Sequence, residues 1–161
     1  MSTTQDLISS LEKLLKLHKS LYEIAVKKTE CIKVGDMDTL NRMLKDEQTL
    51  VKEIDKWENV RMQHVRNMLP NVDSPSVRDC IEYTTGEEKV QLEEKANLLT
   101  EVILELKERN SLNQQLVYQS LQFVNFSLNL LMPQPESINY DPPSTIKKQN
   151  LNSQGLFNTK A

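Results

Sequence analysis

The chain has 161 residues, of which 38% are hydrophobic and 27% charged, and its formal net charge is -3. That balance excludes the basic surface on which nucleic acid or an anionic membrane is held. The apolar fraction is low for a compact globule, so one domain of long helices with little central core is expected.

Two cysteines, Cys31 and Cys80, are too few for a disulfide framework and read as free thiols of a reducing cytosol. The opening MSTTQDLISS has neither a basic n-region nor a continuous apolar h-region. A cytoplasmic protein without signal peptide or membrane anchor is therefore expected. Prolines at 70, 75, 133, 135, 142 and 143 and glycines at 35, 86 and 155 cut the chain into three long breaker-free blocks and a tail.

The first block predicts a helix over about 3–34. Leu7, Leu11, Leu14, Leu17, Leu21, Ala25 and Ile32 form one stripe at helical spacing. Ser or Thr ahead of Asp6 supplies an N-cap, and Gly35 suits the left-handed position after a helix end. The second block predicts a helix over about 37–69, capped by Asp36 or Asp38 and stopped before Pro70. Its stripe is Leu40, Met43, Glu47, Leu50, Val51, Ile54, Trp57, Glu58, Arg61, Val65 and Met68. The charged members suit a bundle edge from which long side chains reach water, and Glu58 and Arg61 are spaced to pair. In the connector 71–86, Asp73-Ser74-Pro75 reads as a cap followed by proline at the first helical position. A short helix over about 76–83 follows.

The third block predicts a helix over about 87–132, long enough to require a bundle or coiled coil. One stripe runs throughout: Leu92, Leu99, Ile103, Leu106, Asn110, Asn113, Val117, Leu121, Val124, Leu128 and Leu131. A second face is acidic at first, with Glu94, Glu101, Glu105 and Glu108, and then becomes Leu112, Leu116, Phe123, Phe126 and Leu130. Residues 110–132 contain no Asp, Glu, Lys or Arg, yet hold too many amides for a membrane span. The two apolar stripes lie roughly 130° apart by helical arithmetic. One is expected to face the chain's own helices and the other a partner.

Short turns make the first two helices an antiparallel pair, and the third returns parallel to the first. About a dozen residues, roughly 20 Å, are then left over at its end. Either the connector shifts the register to cover them, or they project beyond the pair, and an amphipathic end exposed in that way marks an interaction site, self-association as a weak homodimer included. Asn110 and Asn113 sit on the stripe expected to be buried. They set register, are satisfied by water at an open end, or bond to an incoming helix.

No glycine-rich phosphate loop or nucleophile elbow is present. His18 and His64 have no metal-ligand partners at the required spacing and read as partly exposed helical histidines. The helical glutamates alternate with lysines, as on a solvated face. Neither an enzyme nor a cofactor or metal site is expected. The 133–161 tail is rich in Pro, Asn, Ser, Gln and Lys and reads as flexible. Ile138-Asn139-Tyr140-Asp141-Pro142-Pro143 is its densest apolar cluster, a short linear motif or an inert stretch.

Several segments in order carry a family likeness. They are Gly35-Asp36-Met37-Asp38-Thr39-Leu40, the run of Glu47, Leu50, Ile54, Glu58 and Arg61, Glu108-Arg109-Asn110-Ser111-Leu112-Asn113, and Asn139-Tyr140-Asp141-Pro142. Over about 5–142 the chain resembles FlgN-type flagellar export chaperones. The resemblance implies an all-helical cytosolic chaperone over 1–132 that keeps the terminal helical region of hook-associated proteins soluble and delivers it to the type III export gate. It implies that Leu112, Leu116, Phe123, Phe126 and Leu130 bind the client, with Asn110 and Asn113 beside them. It also implies that Tyr140 docks on the cytosolic domain of the gate. The residues alone leave open a self-associating coiled-coil scaffold or tether built on the same helix end.

Overall fold

The computed structural model describes residues 2–132, and their regular structure is all helical: α1 (Thr3–Val34), α2 (Met37–Met68), α3 (Val77–Tyr83) and α4 (Gly86–Leu131). The tail at 133–161, and Tyr140 within it, lie outside the described residues. Relative to expectation, α2 stops one residue earlier, at its C-cap Leu69, and α4 starts at Gly86 and ends at Leu131.

Local chemistry explains each boundary. The Ser2 hydroxyl oxygen accepts the Gln5 N–H at 3.2 Å, and its O–H donates to Glu88 Oε1 at 2.8 Å. One side chain thus caps α1 and fastens it to the first turn of α4. Gly35 is left-handed (φ 74), with Gly35 N–H donating to Ile32 O and Asp36 N–H to Cys31 O. That is the paired closure expected at a glycine helix stop. Asp36 accepts the Thr39 N–H at 3.1 Å and starts α2 at once. The connector departs from expectation. Its cap is Ser76, not Asp73-Ser74 with Pro75 as the first helical residue, because Ser76 and Asp79 satisfy each other's backbone N–H groups in a capping box. Pro75 precedes the cap, and Ser74 makes the turn with φ 51.

The packing runs through α1. Cys31 meets Met43, Lys28 meets Glu47, Lys13 lies over the Trp57 ring and Ser10 meets His64. Partners run in opposite directions, so α1 and α2 are antiparallel. Ser2 meets Glu88, Glu12 meets Lys95 and Thr29 meets Asn113, so α1 and α4 are parallel. No Cα of α2 comes within 8 Å of one in α4. As the shared partner, α1 buries Ile8, Ser10 and Leu15 beyond the single stripe expected of it. Apart from Cys31 in its last turn, its buried residues span an arc roughly 160° wide by helical arithmetic, where one neighbour needs about 100°.

The main core joins Leu7, Ile8, Leu11, Leu14 and Leu15 to Val65 and Leu69, Cys80, Leu92 and Leu99. Burying each leucine contributes about 1.5–3 kcal/mol. A smaller cluster, Leu21, Ala25 and Leu106, continues toward the far end of α1. The charged residues of the α2 stripe are paired. Arg61 Nε and Nη2 donate to Glu58 Oε2 at 2.9 and 2.7 Å, and Lys28 Nζ reaches Glu47 Oε2 at 2.8 Å. His18, expected to be partly exposed, is buried, and its Nδ1–H donates to Leu14 O at 2.8 Å. It faces inward because α1 has neighbours on two sides. Both cysteines are free and buried.

Candidate protein-binding site

Toward the far end of α1, a buried polar contact fixes the register of α4 on it. Thr29 Oγ1 donates to Asn113 Oδ1 at 2.6 Å, and Asn113 Nδ2 donates to Ala25 O at 2.9 Å. Asn113 is buried, and its amide is satisfied within the chain. A paired amide of this kind holds one register of a helix pair. With Asn113 beside Ala25 and Thr29, α1 reaches its last residue, Val34, when α4 is near residue 119. About 12 residues of α4, roughly 18 Å, run on past it.

That extension contains no Pro or Gly to interrupt the helix, and the Ser120 hydroxyl donates to Leu116 O at 2.8 Å. It carries no Asp, Glu, Lys, Arg or His. Among the residues expected to bind a client, Leu112, Phe123, Phe126 and Leu130 are exposed, Phe123 at 70% and Phe126 at 62%. Leu116 is half-buried near where α4 leaves α1, and Asn110 is half-buried further back, alongside α1. The other stripe departs from expectation. Val117, Leu121, Val124, Leu128 and Leu131 were assigned to the chain's own helices, yet all five are exposed, Leu131 at 80%. They lie mostly beyond the last turn of α1, with no other helix to cover them. The mismatch between helix lengths signals the surplus, but not whether it stays uncovered. A contiguous apolar surface of this kind on a monomer is unusual and marks an interaction site.

Shallow clefts lie at the opposite end, lined by Arg61, Arg66 and Arg78 with residues 69–77. Among the described residues no group of His, Cys, Asp and Glu is arranged to hold a metal, and no helix is long and apolar enough to cross a membrane.

An all-helical fold that leaves one uncharged helix end uncovered has the form of a module whose surface, not a pocket, is its distinguishing feature. The model of the FlgN protein family matches residues 1–148, and the chain belongs to that family of flagellar export chaperones. It is also 30% identical over 155 residues to the uncharacterized protein YvyG of Bacillus subtilis (strain 168), covering 96% of this chain and 97% of that one. No solved structure matches the chain.

Proposed function

We propose that this chain is a cytoplasmic chaperone for flagellar hook-associated proteins. An elongated bundle of three long helices, over 1–132, holds the end of α4 away from its own core. That end takes up the client's terminal helical region and keeps it from aggregating. The chain then delivers the client to the cytosolic domain of the type III export gate, with Tyr140 as the gate contact. The client surface is Leu112, Leu116, Phe123, Phe126 and Leu130, with Asn110 at its base. Asn113 acts one step removed, by fixing how far α4 projects.

The observation that carries this reading is the exposure of an uncharged apolar helix end in a member of a chaperone family. Apolar side chains contribute affinity for an amphipathic helix. The interleaved Asn, Gln and Ser satisfy polar groups without imposing a charge pattern. No catalytic step is proposed.

The test is aggregation of a hook-associated protein's terminal helical fragment, followed by turbidity. An equimolar amount of this chain should suppress it, and Phe123→Glu with Phe126→Glu should remove the protection. Tyr140→Ala should keep the protection and lose association with the purified gate domain. Turbidity that rises equally with and without the wild-type chain would contradict the proposal.

A further inference from the structure

Leu92, Leu99, Leu106 and Asn113, the residues α4 buries, recur at every seventh position. The next two positions in that series are Ser120 and Ser127, and both lie at or beyond the end of α1. A straight helix turns by about 20° per heptad relative to such a series. Extending that drift past Asn113 carries the α1-facing line between the two exposed apolar stripes. Ser120 and Ser127 run along the middle, with Val124 and Leu131 on one side and Leu116, Phe123 and Leu130 on the other. The facing edges of the two stripes, without Phe126 or Leu121, are the walls of one seam with a floor of small residues.

We infer that one amphipathic helix of a client docks in this seam as the end-on successor of α1, laying large apolar residues of its own over Ser120 and Ser127. This rests on the chaperone reading above and adds to it the docking line and the kind of helix that fits. The seam is continuous with the α1–α4 interface, so an incoming helix meets the geometry that α1 already satisfies. It begins at the turn where Val34 and Met37 are left exposed.

A second copy fits less well. Two such ends laid together oppose serine floors on both sides and leave the holes unfilled. The chain's own tail offers Ile146, Leu151, Leu156 and Phe157, which do not follow the three-and-four spacing of a helix that packs in a seam.

The experiment is calorimetric titration of a hook-associated protein's terminal helical fragment into the full chain. One variant carries Ser120→Arg and Ser127→Arg; the other carries Gln122→Arg and Asn129→Arg on the opposite face of the same turns. The seam variant should lose roughly tenfold or more in affinity, as for a charge placed at the centre of an interface. The other should stay within about threefold, as at a rim, and both should keep wild-type helicity. The reverse order would place docking on Phe126 and overturn the seam. A wild-type chain that fails to bind the fragment removes the chaperone reading and the seam with it. A wild-type chain that binds and loses the fragment in Phe123→Glu with Phe126→Glu, but not in the seam variant, overturns the seam alone. A free chain that is a stable dimer, broken by the seam variant, assigns the seam to a second copy. Tighter fragment binding after Leu151, Leu156 and Phe157 are replaced by Asp assigns it to the tail. Either of these last results overturns the client assignment.

Discussion

Replacing Thr29 by Val removes one hydroxyl and leaves nearly the same shape. Thr29 is 1% exposed, and its hydroxyl hydrogen is the donor to Asn113 Oδ1 at 2.6 Å. Without it, that oxygen is left in a buried site with no donor, at a cost of about 1–3 kcal/mol. Asn113→Leu is the contrasting change. It removes the amide, but the Thr29 hydroxyl still has Ala25 O at 3.1 Å, so nothing is orphaned. Replacing a bonded amide by an apolar group of similar branching is then within about 1 kcal/mol of neutral. The double variant has no polar group to strand and should recover most of what Thr29→Val loses. Urea unfolding followed by far-UV circular dichroism measures all four proteins, and the coupling term isolates the contact. The reasoning is refuted if Thr29→Val costs no more than Asn113→Leu, or if the two losses simply add.

Other changes separate stability from binding. Leu92→Ala removes a fully buried leucine of the main core and should cost about 2–5 kcal/mol in urea unfolding. Phe123→Glu with Phe126→Glu alters exposed positions and should change the unfolding free energy in urea by less than about 0.5 kcal/mol while abolishing client protection. At Asp36, hydrogen bonds from the Thr39 side chain and then its backbone N–H hold the folded carboxyl below its ordinary value of 3.8. The stabilisation this carries is present above 3.8 and is lost as pH falls through the folded value. The gap in unfolding midpoint between wild type and Asp36→Ala should therefore be constant near neutrality and narrow on acidification. Burial raises the Cys80 thiol, as the neighbouring Asp79 charge also does. A disulfide reagent should leave Cys80 unmodified until urea unfolds the chain, and modification in the native protein would contradict its place in the core.

The helix limits were legible because the breakers are local. Gly35 permits the left-handed stop, Pro70 ends α2, and residues 87–132 contain nothing that interrupts a helix. Periodicity showed which residues share a face, but a face does not name its neighbour. Ile8 and Leu15 looked peripheral to the α1 stripe and are buried because α1 serves two helices. His18 turned inward for the same reason. In the connector, spacing places the cap at Asp73-Ser74 ahead of Pro75, whereas Ser76 caps the helix because Asp79, three residues further on, completes the box. At the candidate site, the charge-free run and the surplus length were readable. That both stripes stand uncovered was not, because it depends on where α1 stops against α4, and the Thr29–Asn113 contact sets that across 84 positions of sequence.

Light scattering coupled to size-exclusion chromatography tests the central claim most directly, on the chain alone and mixed with a hook-associated protein's terminal helical fragment. The chaperone account predicts a one-to-one complex that disappears in Phe123→Glu with Phe126→Glu while the helicity of that variant is unchanged. A stable homo-oligomer that ignores the fragment and dissociates in the same variant would contradict it, and would make the end of α4 the joint of a self-assembling scaffold.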